Sequence, residues 1–409
     1  MRLAVFTNQF PGRVNTFFAR DMRALIEAGI EADVFAIYPQ DARLWAYVPD
    51  ILSERVLSRD RVHHLSLARG LGSFRPRHVL QSSRFLRDTA AIGYSAARFG
   101  PVVLAKSLYV APLAWAWSRA FAQRYDHVLA YWGNFAGTCA YLFHRLVGRE
   151  IPFTLWLHAQ IDLYETPVYL TQKLLYADSI ITICEYNRRF LQQHYGPIYE
   201  RIAHKIHVNY RGLDFAEFPY GTDQRHPRRV LAVGRLSPEK GYDDLLRAVA
   251  ELRGRGVDLE LEIVGDGPER GALTALARGL QIAQHVTFRG WLAFDDVRRA
   301  MRQAAVLAQP STTEGLPTVV EEAMALGTPV VASRVGGIPE LLDDGRCGVL
   351  VPPSDVRALA NALEALLANP AQRLMYAARA RTHAEQTLDL WRNGARLADH
   401  VRWTTRRAS

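Results

Sequence analysis

Residues 310–329 read Pro310-Ser311-Thr312-Thr313-Glu314-Gly315-Leu316-Pro317-Thr318-Val319-Val320-Glu321-Glu322-Ala323-Met324-Ala325-Leu326-Gly327-Thr328-Pro329. Just upstream, Ala305-Val306-Leu307-Ala308 is a short apolar run suited to a buried parallel strand. Pro317 is well placed to open a helix and Gly327-Thr328-Pro329 to close it. The turn between strand and helix is therefore a helix N-terminus, where amide N–H groups lack intrahelical partners and carry partial positive charge. Such a terminus receives anions, phosphate above all. Glu314 stands before the turn and Glu322 on the helix, with seven residues between them. Carboxylates repel phosphate, so these two are expected to accept hydrogen bonds from neutral hydroxyls. A ligand that joins phosphate to many hydroxyls is a nucleotide sugar. Taken alone, the two acids would read as a loop acid and a surface helix acid; two further signals in the same half of the chain decide against that.

At 409 residues the chain exceeds one ordinary core, and two domains are expected. Apolar residues make up 49% and charged ones 22%, which excludes a largely disordered chain. Cys139, Cys184 and Cys347 are far apart and lack paired spacing for metal or redox work, so they read as buried thiols in a reducing compartment. Met1-Arg2-Leu3-Ala4-Val5-Phe6-Thr7 runs straight into a strand without a cleavable signal pattern, which predicts a cytoplasmic protein. The net charge of +9 is uneven: Arg55, Arg59, Arg61, Arg69, Arg75, Arg77, Arg84 and Arg87 crowd one segment. That predicts an anionic surface partner. No nucleic-acid module is present, so peripheral contact with an anionic membrane is expected, at the inner face of the cytoplasmic membrane, and no nucleic acid.

In chain order, the first strand leads to a loop holding Phe10-Pro11-Gly12 and to helical spacing from Thr16 to Leu25; Glu31–Ile37 is the next strand. The chain thus opens as a doubly wound α/β domain. Gly12 would let a ligand approach the backbone; its other reading is a turn residue. Residues 41–125 read as an insertion of helices. Within it, Val102–Phe121 is apolar but interrupted by Lys106, Pro112 and Arg119, too broken for a bilayer span of about 20 apolar residues. It reads as a core helix or, through its tryptophans, as a helix lying in a membrane interface. Strand–helix alternation resumes at Tyr125, and the strand Pro152–Leu157 runs directly into His158. Ligands gather beyond the carboxyl ends of strands in such sheets, so His158 is placed for a ligand; a packed structural histidine is the alternative. Linker composition at 214–227 divides the chain into an N-terminal domain, 1–213, and a second parallel-sheet domain, 214–386, with a C-terminal helix at 387–409 expected to pack back toward the N-terminal domain. The arginines of that tail read as a solvated helical face.

The two further signals lie in the second domain. Gly234-Arg235-Leu236-Ser237-Pro238-Glu239-Lys240-Gly241 joins a strand to a helix, and its Arg fork and Lys point charge suit two phosphates, in binding and as a leaving group. Val264-Gly265-Asp266-Gly267-Pro268 is a glycine-flanked strand end on which a base or ribose could lie flat. Each is weak singly; their order and placement make a strong set.

With these motifs the chain resembles the retaining glycosyltransferases of the large GT4 family. The resemblance rests on Gly234-Arg235-Leu236 through Lys240-Gly241, on Val264-Gly265-Asp266-Gly267-Pro268, and on Glu314 and Glu322 in Glu-Gly-Leu-Pro and Glu-Ala-Met-Ala contexts. The N-terminal half matches more loosely, through Phe10-Pro11, Thr16-Phe17, His158-Ala159 and Tyr186-Asn187, and is similar to transferases of exopolysaccharide or colanic-acid assembly. The resemblance implies the α/β GT-B fold, two facing Rossmann-like domains with a cleft between them, the first binding acceptor and the second the nucleotide sugar. It implies that Arg235 and Lys240 hold the donor diphosphate, that Glu322 binds ribose hydroxyls and Glu314 donor-sugar hydroxyls, and that Gly234, Gly265 and the amides of Gly315, Leu316, Thr318 and Val319 line the donor. His158 would sit over the reacting sugar and Gly12 near the diphosphate. Retention would follow from front-face attack without a protein nucleophile, and no metal or other cofactor would be needed beyond a UDP-, GDP- or ADP-sugar donor. Relatives often place an acid three residues after the His, whereas Asp162 stands four after His158, which leaves its part open.

The expected function is therefore transfer of a sugar to a glycan or lipid-linked glycan. Its rivals are a transferase making a small soluble disaccharide and a non-catalytic nucleotide-binding or scaffold protein with a degenerate site.

Overall fold

The computed structural model describes residues 1–11, 16–38, 56–73, 82–148, 150–159, 161–223 and 225–408. Gly12, Arg55, Arg75 and Arg77 lie outside these residues. The chain divides into two compact units, Met1–Gly212 with Leu390–Ser409, and Leu213–Asp389.

In the first unit the strands are β1 (Arg2–Thr7), β2 (Glu31–Ala36), β3 (Val62–His64), β4 (His127–Ala130), β5 (Phe153–Leu157), β6 (Ser179–Thr182) and β7 (Ile206–Val208). Among the described residues they form one sheet in the order β3-β2-β1-β4-β5-β6-β7, parallel throughout. The helices are α1 (Thr16–Glu27), α2 (Leu67–Gly72), α3 (Ser83–Ala97), α4 (Pro101–Phe121), α5 (Phe135–Val147), α6 (Leu170–Tyr176), α7 (Glu185–His194) and α8 (Gly196–Ile202). Every residue of β4, β5 and β6 is buried, as a parallel sheet covered on both faces requires.

One reading of residues 41–125 is corrected and, of two open for Val102–Phe121, the core helix holds. The segment is not only helical: β3 pairs with β2 at its edge, Val34 opposite Val62. Three residues are too few for an alternation signal, and the strand is held instead by Asp33, which accepts from Arg61 Nε (2.8 Å) and Tyr125 OH (2.6 Å). The run Val102–Phe121 is one helix, α4, and its tryptophans are core rather than membrane-interface residues. Trp117 packs its ring 5.2 Å from Phe35 and Trp115 lies 5.2 Å from Phe85, both tryptophans buried. Among the described residues no helix is long and apolar enough to cross a membrane.

The second unit repeats the plan with β8 (His226–Val233), β9 (Glu260–Val264), β10 (Val286–Gly290), β11 (Ala304–Gln309), β12 (Val330–Ser333) and β13 (Val349–Val351), in the order β10-β9-β8-β11-β12-β13 and all parallel. Its helices are α9 (Tyr242–Gly254), α10 (Arg270–Gly279), α11 (Phe294–Gln303), α12 (Thr318–Leu326), α13 (Ile338–Leu341), α14 (Val356–Ala368) and α15 (Pro370–Thr387). Helix α11 escaped the sequence reading because it buries only Ala300 and Met301 among charged residues. Strand order reverses between β8 and β11, so the crevice beyond their carboxyl ends is where a ligand is expected.

Helix α16 (Leu390–Ala408) returns to the first unit. It buries Leu390, Leu397, Ala398 and Val401 and leaves Arg392, Arg396, Arg406 and Arg407 exposed, a solvated basic face. Gly394 fits against Ala24 where a side chain would collide, and Arg23 lies 4.9 Å over the Trp391 ring. Cys139, Cys184 and Cys347 are buried free thiols.

Candidate functional site

The quoted stretch folds as its residues dictate. Pro317, extended at φ −73° and ψ 114°, precedes α12, and Gly327 closes it in the left-handed conformation at φ 75°. The amides of Val320 and Glu321 return to the Pro317 carbonyl (3.0 and 3.3 Å). Among the described residues the amides of Gly315, Thr318 and Val319 donate to no protein acceptor. Three donors at the start of a buried helix form a ready anion site.

The loops beyond β8, β9 and β11 are laid against one another. Gly241, at φ 64°, caps the short turn Pro238–Lys240, and a Cβ there would run into the Pro310 carbonyl. Gly265, at φ 131°, sits so close to the Gly234 carbonyl that only hydrogen fits. Cross-bonds fasten the assembly: Thr312 N to Glu239 O (2.9 Å), Gly234 N to Val264 O (3.0 Å) and Leu236 N to Asp266 O (3.0 Å).

This stacking brings Lys240 to Glu314. Lys240 Nζ donates to Glu314 Oε1 at 2.6 Å, and the same oxygen accepts from Ser311 Oγ (2.8 Å) and Gln309 Nε2 (2.9 Å). The Glu314 side chain is 7% exposed and that of Lys240 17%, so the pair is poorly solvated and each charge depends on the other. Arg235 is exposed and, among the described residues, its guanidinium has no hydrogen-bond or ion-pair partner. Glu322 is buried on α12 and Leu316 beneath the turn. Tyr242, buried against this cluster, has its hydroxyl ionisation pushed up by burial and then by the charges of Glu314 and Glu239.

In the first unit, His158 follows β5 and is 2% exposed. Its ring lies 4.4 Å from Tyr131, 4.5 Å from Trp132, 5.4 Å from Trp156 and 6.0 Å from Phe17. Neither ring nitrogen has a hydrogen-bond partner among the described residues. Burial, and then the positive charge of Arg211, hold its pKa well below the usual imidazole value against a weaker opposing effect from the Tyr131 backbone, so the ring is neutral at pH 7. Arg211 itself stacks 4.8 Å over Phe17. Asp162, left open by sequence, fastens the loop. It accepts from the amides of Gly133 (3.0 Å), His158 (2.9 Å) and Ala159 (2.8 Å) and is fully buried. Burial raises its pKa to about 6 against those amides. Lys173, also fully buried and depressed by burial to about 7, donates to the carbonyl of the same Gly133 and to Thr138 Oγ1 (3.1 Å).

Sequence reasoning missed Gln309, Ser311 and Tyr242 in one unit and Arg211, Lys173 and the aromatic box in the other. The only local signal was a polar Gln closing an apolar strand.

Two parallel-sheet Rossmann-like units with this strand order define the GT-B fold, and solved structures agree. Sucrose-phosphate synthase from Thermosynechococcus elongatus superposes with TM-score 0.73 over 100% of both chains at 20% identity. Anabaena Alr3699/HepE in complex with UDP-glucose gives 0.70 over 98% of both at 18%. Within the second unit, residues 227–369 match the family described as Glycosyl transferases group 1. The GDP-mannose-dependent alpha-(1-6)-phosphatidylinositol monomannoside mannosyltransferase of Mycolicibacterium smegmatis is 35% identical over 243 residues, 54% of this chain and 62% of that protein. The chain spans about half the length of the curated relatives it matches.

Proposed function

We propose that the protein is a retaining, GT4-type glycosyltransferase that moves a sugar from a UDP-, GDP- or ADP-sugar to a glycan or lipid-linked glycan acceptor in polysaccharide or glycoconjugate biosynthesis. The observation that carries this reading is the array of free amides at Gly315, Thr318 and Val319 beside the Lys240–Glu314 pair. The donor class is supported by the GDP-mannose of the mycobacterial relative and the UDP-glucose of the Anabaena complex.

In the proposed reaction the anomeric carbon's bond to the diphosphate breaks as the acceptor oxygen bonds to the same face. The departing phosphate oxygen takes the acceptor's proton. Arg235, Lys240 and the α12 amides carry the leaving charge, for which Lys240 exchanges Glu314 for phosphate. Glu314 and Glu322 accept from sugar and ribose hydroxyls. His158, its pKa lowered by burial, would offer a neutral ring to a sugar hydroxyl. No divalent ion is required in this scheme, and the protein works in the cytoplasm.

Peripheral membrane contact is part of the proposal. Tyr94, Phe99, Val102 and Leu108 are exposed on and between α3 and α4, with Arg84, Arg87 and Arg98 exposed nearby, a combination that suits an anionic lipid surface.

Thermal stabilisation by UDP, GDP and ADP, each with magnesium and with EDTA, tests the donor site, because a ligand of the native state raises apparent stability. One diphosphate should stabilise the wild type in EDTA and Glu322→Ala much less. Absence of stabilisation by all three would favour a degenerate, non-catalytic site.

A further inference from the structure

Glu314 is held by more than its lysine. Gln309 closes β11 with no exposure, and its Nε2 donates both to Ser311 Oγ (2.8 Å) and to Glu314 Oε1 (2.9 Å). Ser311, equally buried, gives its hydroxyl proton to the same Oε1 (2.8 Å), and Lys240 adds the third donor. Three donors converging on one oxygen fix the plane of the carboxylate. Oε2 accepts no hydrogen bond among the described residues and is the oxygen left to a ligand. The amide's orientation follows from its neighbours: with its O and N exchanged, the carbonyl would face the carboxylate.

These bonds leave Gln309 itself only half satisfied. Its Oε1 is buried without a partner, as is the Tyr242 hydroxyl on the same cluster. The rest of β11, Ala304-Ala305-Val306-Leu307-Ala308, is wholly buried and apolar. A leucine would suit such a strand end better than an amide whose carbonyl is unpaired. Both hydrogen bonds that the Gln309 side chain makes go to the Glu314 system, so that carboxylate accounts for its presence where the fold does not.

We propose that Gln309, through Ser311, is a positioning residue that holds Glu314 with Oε2 turned outward to accept hydroxyls of the donor's sugar ring, and so sets affinity for the sugar portion independently of the nucleotide. The inference rests on the donor-site reading of the second unit.

Calorimetry on wild type, Gln309→Leu and Ser311→Ala with UDP, GDP, ADP, UDP-glucose, GDP-mannose and ADP-glucose tests it. Gln309→Leu should bind the preferred diphosphate within about twofold of wild type and the matching sugar nucleotide about tenfold more weakly, the worth of one hydrogen bond to a charged group. Its melting temperature should stay within about 4 °C of wild type. Ser311→Ala should shift the same ratio about threefold and decides the matter if Gln309→Leu does not fold. Equal loss of both ligands, or no change in either, overturns the role of Gln309 while the donor-site reading stands. A wild type that binds none of the six probes overturns both.

Discussion

Beyond β8 and β11 the second unit gathers a lysine, a glutamate and three free amides, all charge or donor capacity, with Arg235 exposed beside them. Beyond β5 the first unit gathers Tyr131, Trp132, Trp156 and Phe17 around a neutral histidine, with both ring nitrogens unpartnered. The strand order is the same plan in each, so topology chooses where a site forms and the loop residues choose its chemistry. The loops of the second unit present charge and amide donors; those of the first keep a polar ring uncharged in apolar surroundings. What each unit must pay in stability differs accordingly: one shields a charge pair, the other buries Asp162 and Lys173 outright.

The largest effect should come from the buried pair. Asp162 accepts from the Gly133 amide and Lys173 donates to the Gly133 carbonyl, so the two clamp one loop from both sides. Lys173→Met should lose about 3–5 kcal/mol, because the buried Gly133 carbonyl and Thr138 hydroxyl lose their charged donor. The urea midpoint of the first unit should fall while nucleotide binding by the second is unaffected. An unchanged midpoint would show that the clamp is not needed.

Lys240→Ala tests the other side of the comparison. With the fold retained, turnover should drop about 10²–10³-fold, as loss of one charge-stabilising donor does. Wild-type product formation would remove Lys240 from leaving-group stabilisation.

The smallest effect concerns pH. Burial holds His127 at about 3 and His400 at about 4, and His158 is lowered as well. Folded values below the ordinary 6.5 mean that the unfolded chain takes up protons first as pH falls. The histidine contribution to stability is therefore complete above pH 6.5 and is lost toward pH 4, by up to about 1.4 kcal/mol per pH unit for each ring. His400→Gln, which can still bond Ser179, should flatten that slope by one ring's worth. An identical slope in the variant would mean that His400 is not neutral in the folded protein.

The strand, turn and helix of 304–327 were legible because Pro317 and Gly327 act on their own backbone, and the Gly234–Gly241 and Gly265 loops because glycines there meet neighbouring carbonyls. The Lys240–Glu314 contact was not, although both residues were singled out: they are 74 residues apart. Gln309 was passed over as the polar end of an apolar run. The three-residue β3 carried too little pattern to be seen, and Val102–Phe121 could not be told from an interfacial helix until Phe6, Phe35 and Phe85 were found against its tryptophans.

By itself the sequence determined the alternation of strands and helices, the positions of the glycine turns and the charge types available to each loop, because these depend on neighbours a few residues away. Only the tertiary structure decided which oxygen of Glu314 is engaged, that His158 is neutral, and that Asp162 is a fastener of backbone amides. Hydrogen-bond partners and local dielectric are set by groups brought from distant parts of the chain, and no local pattern records them.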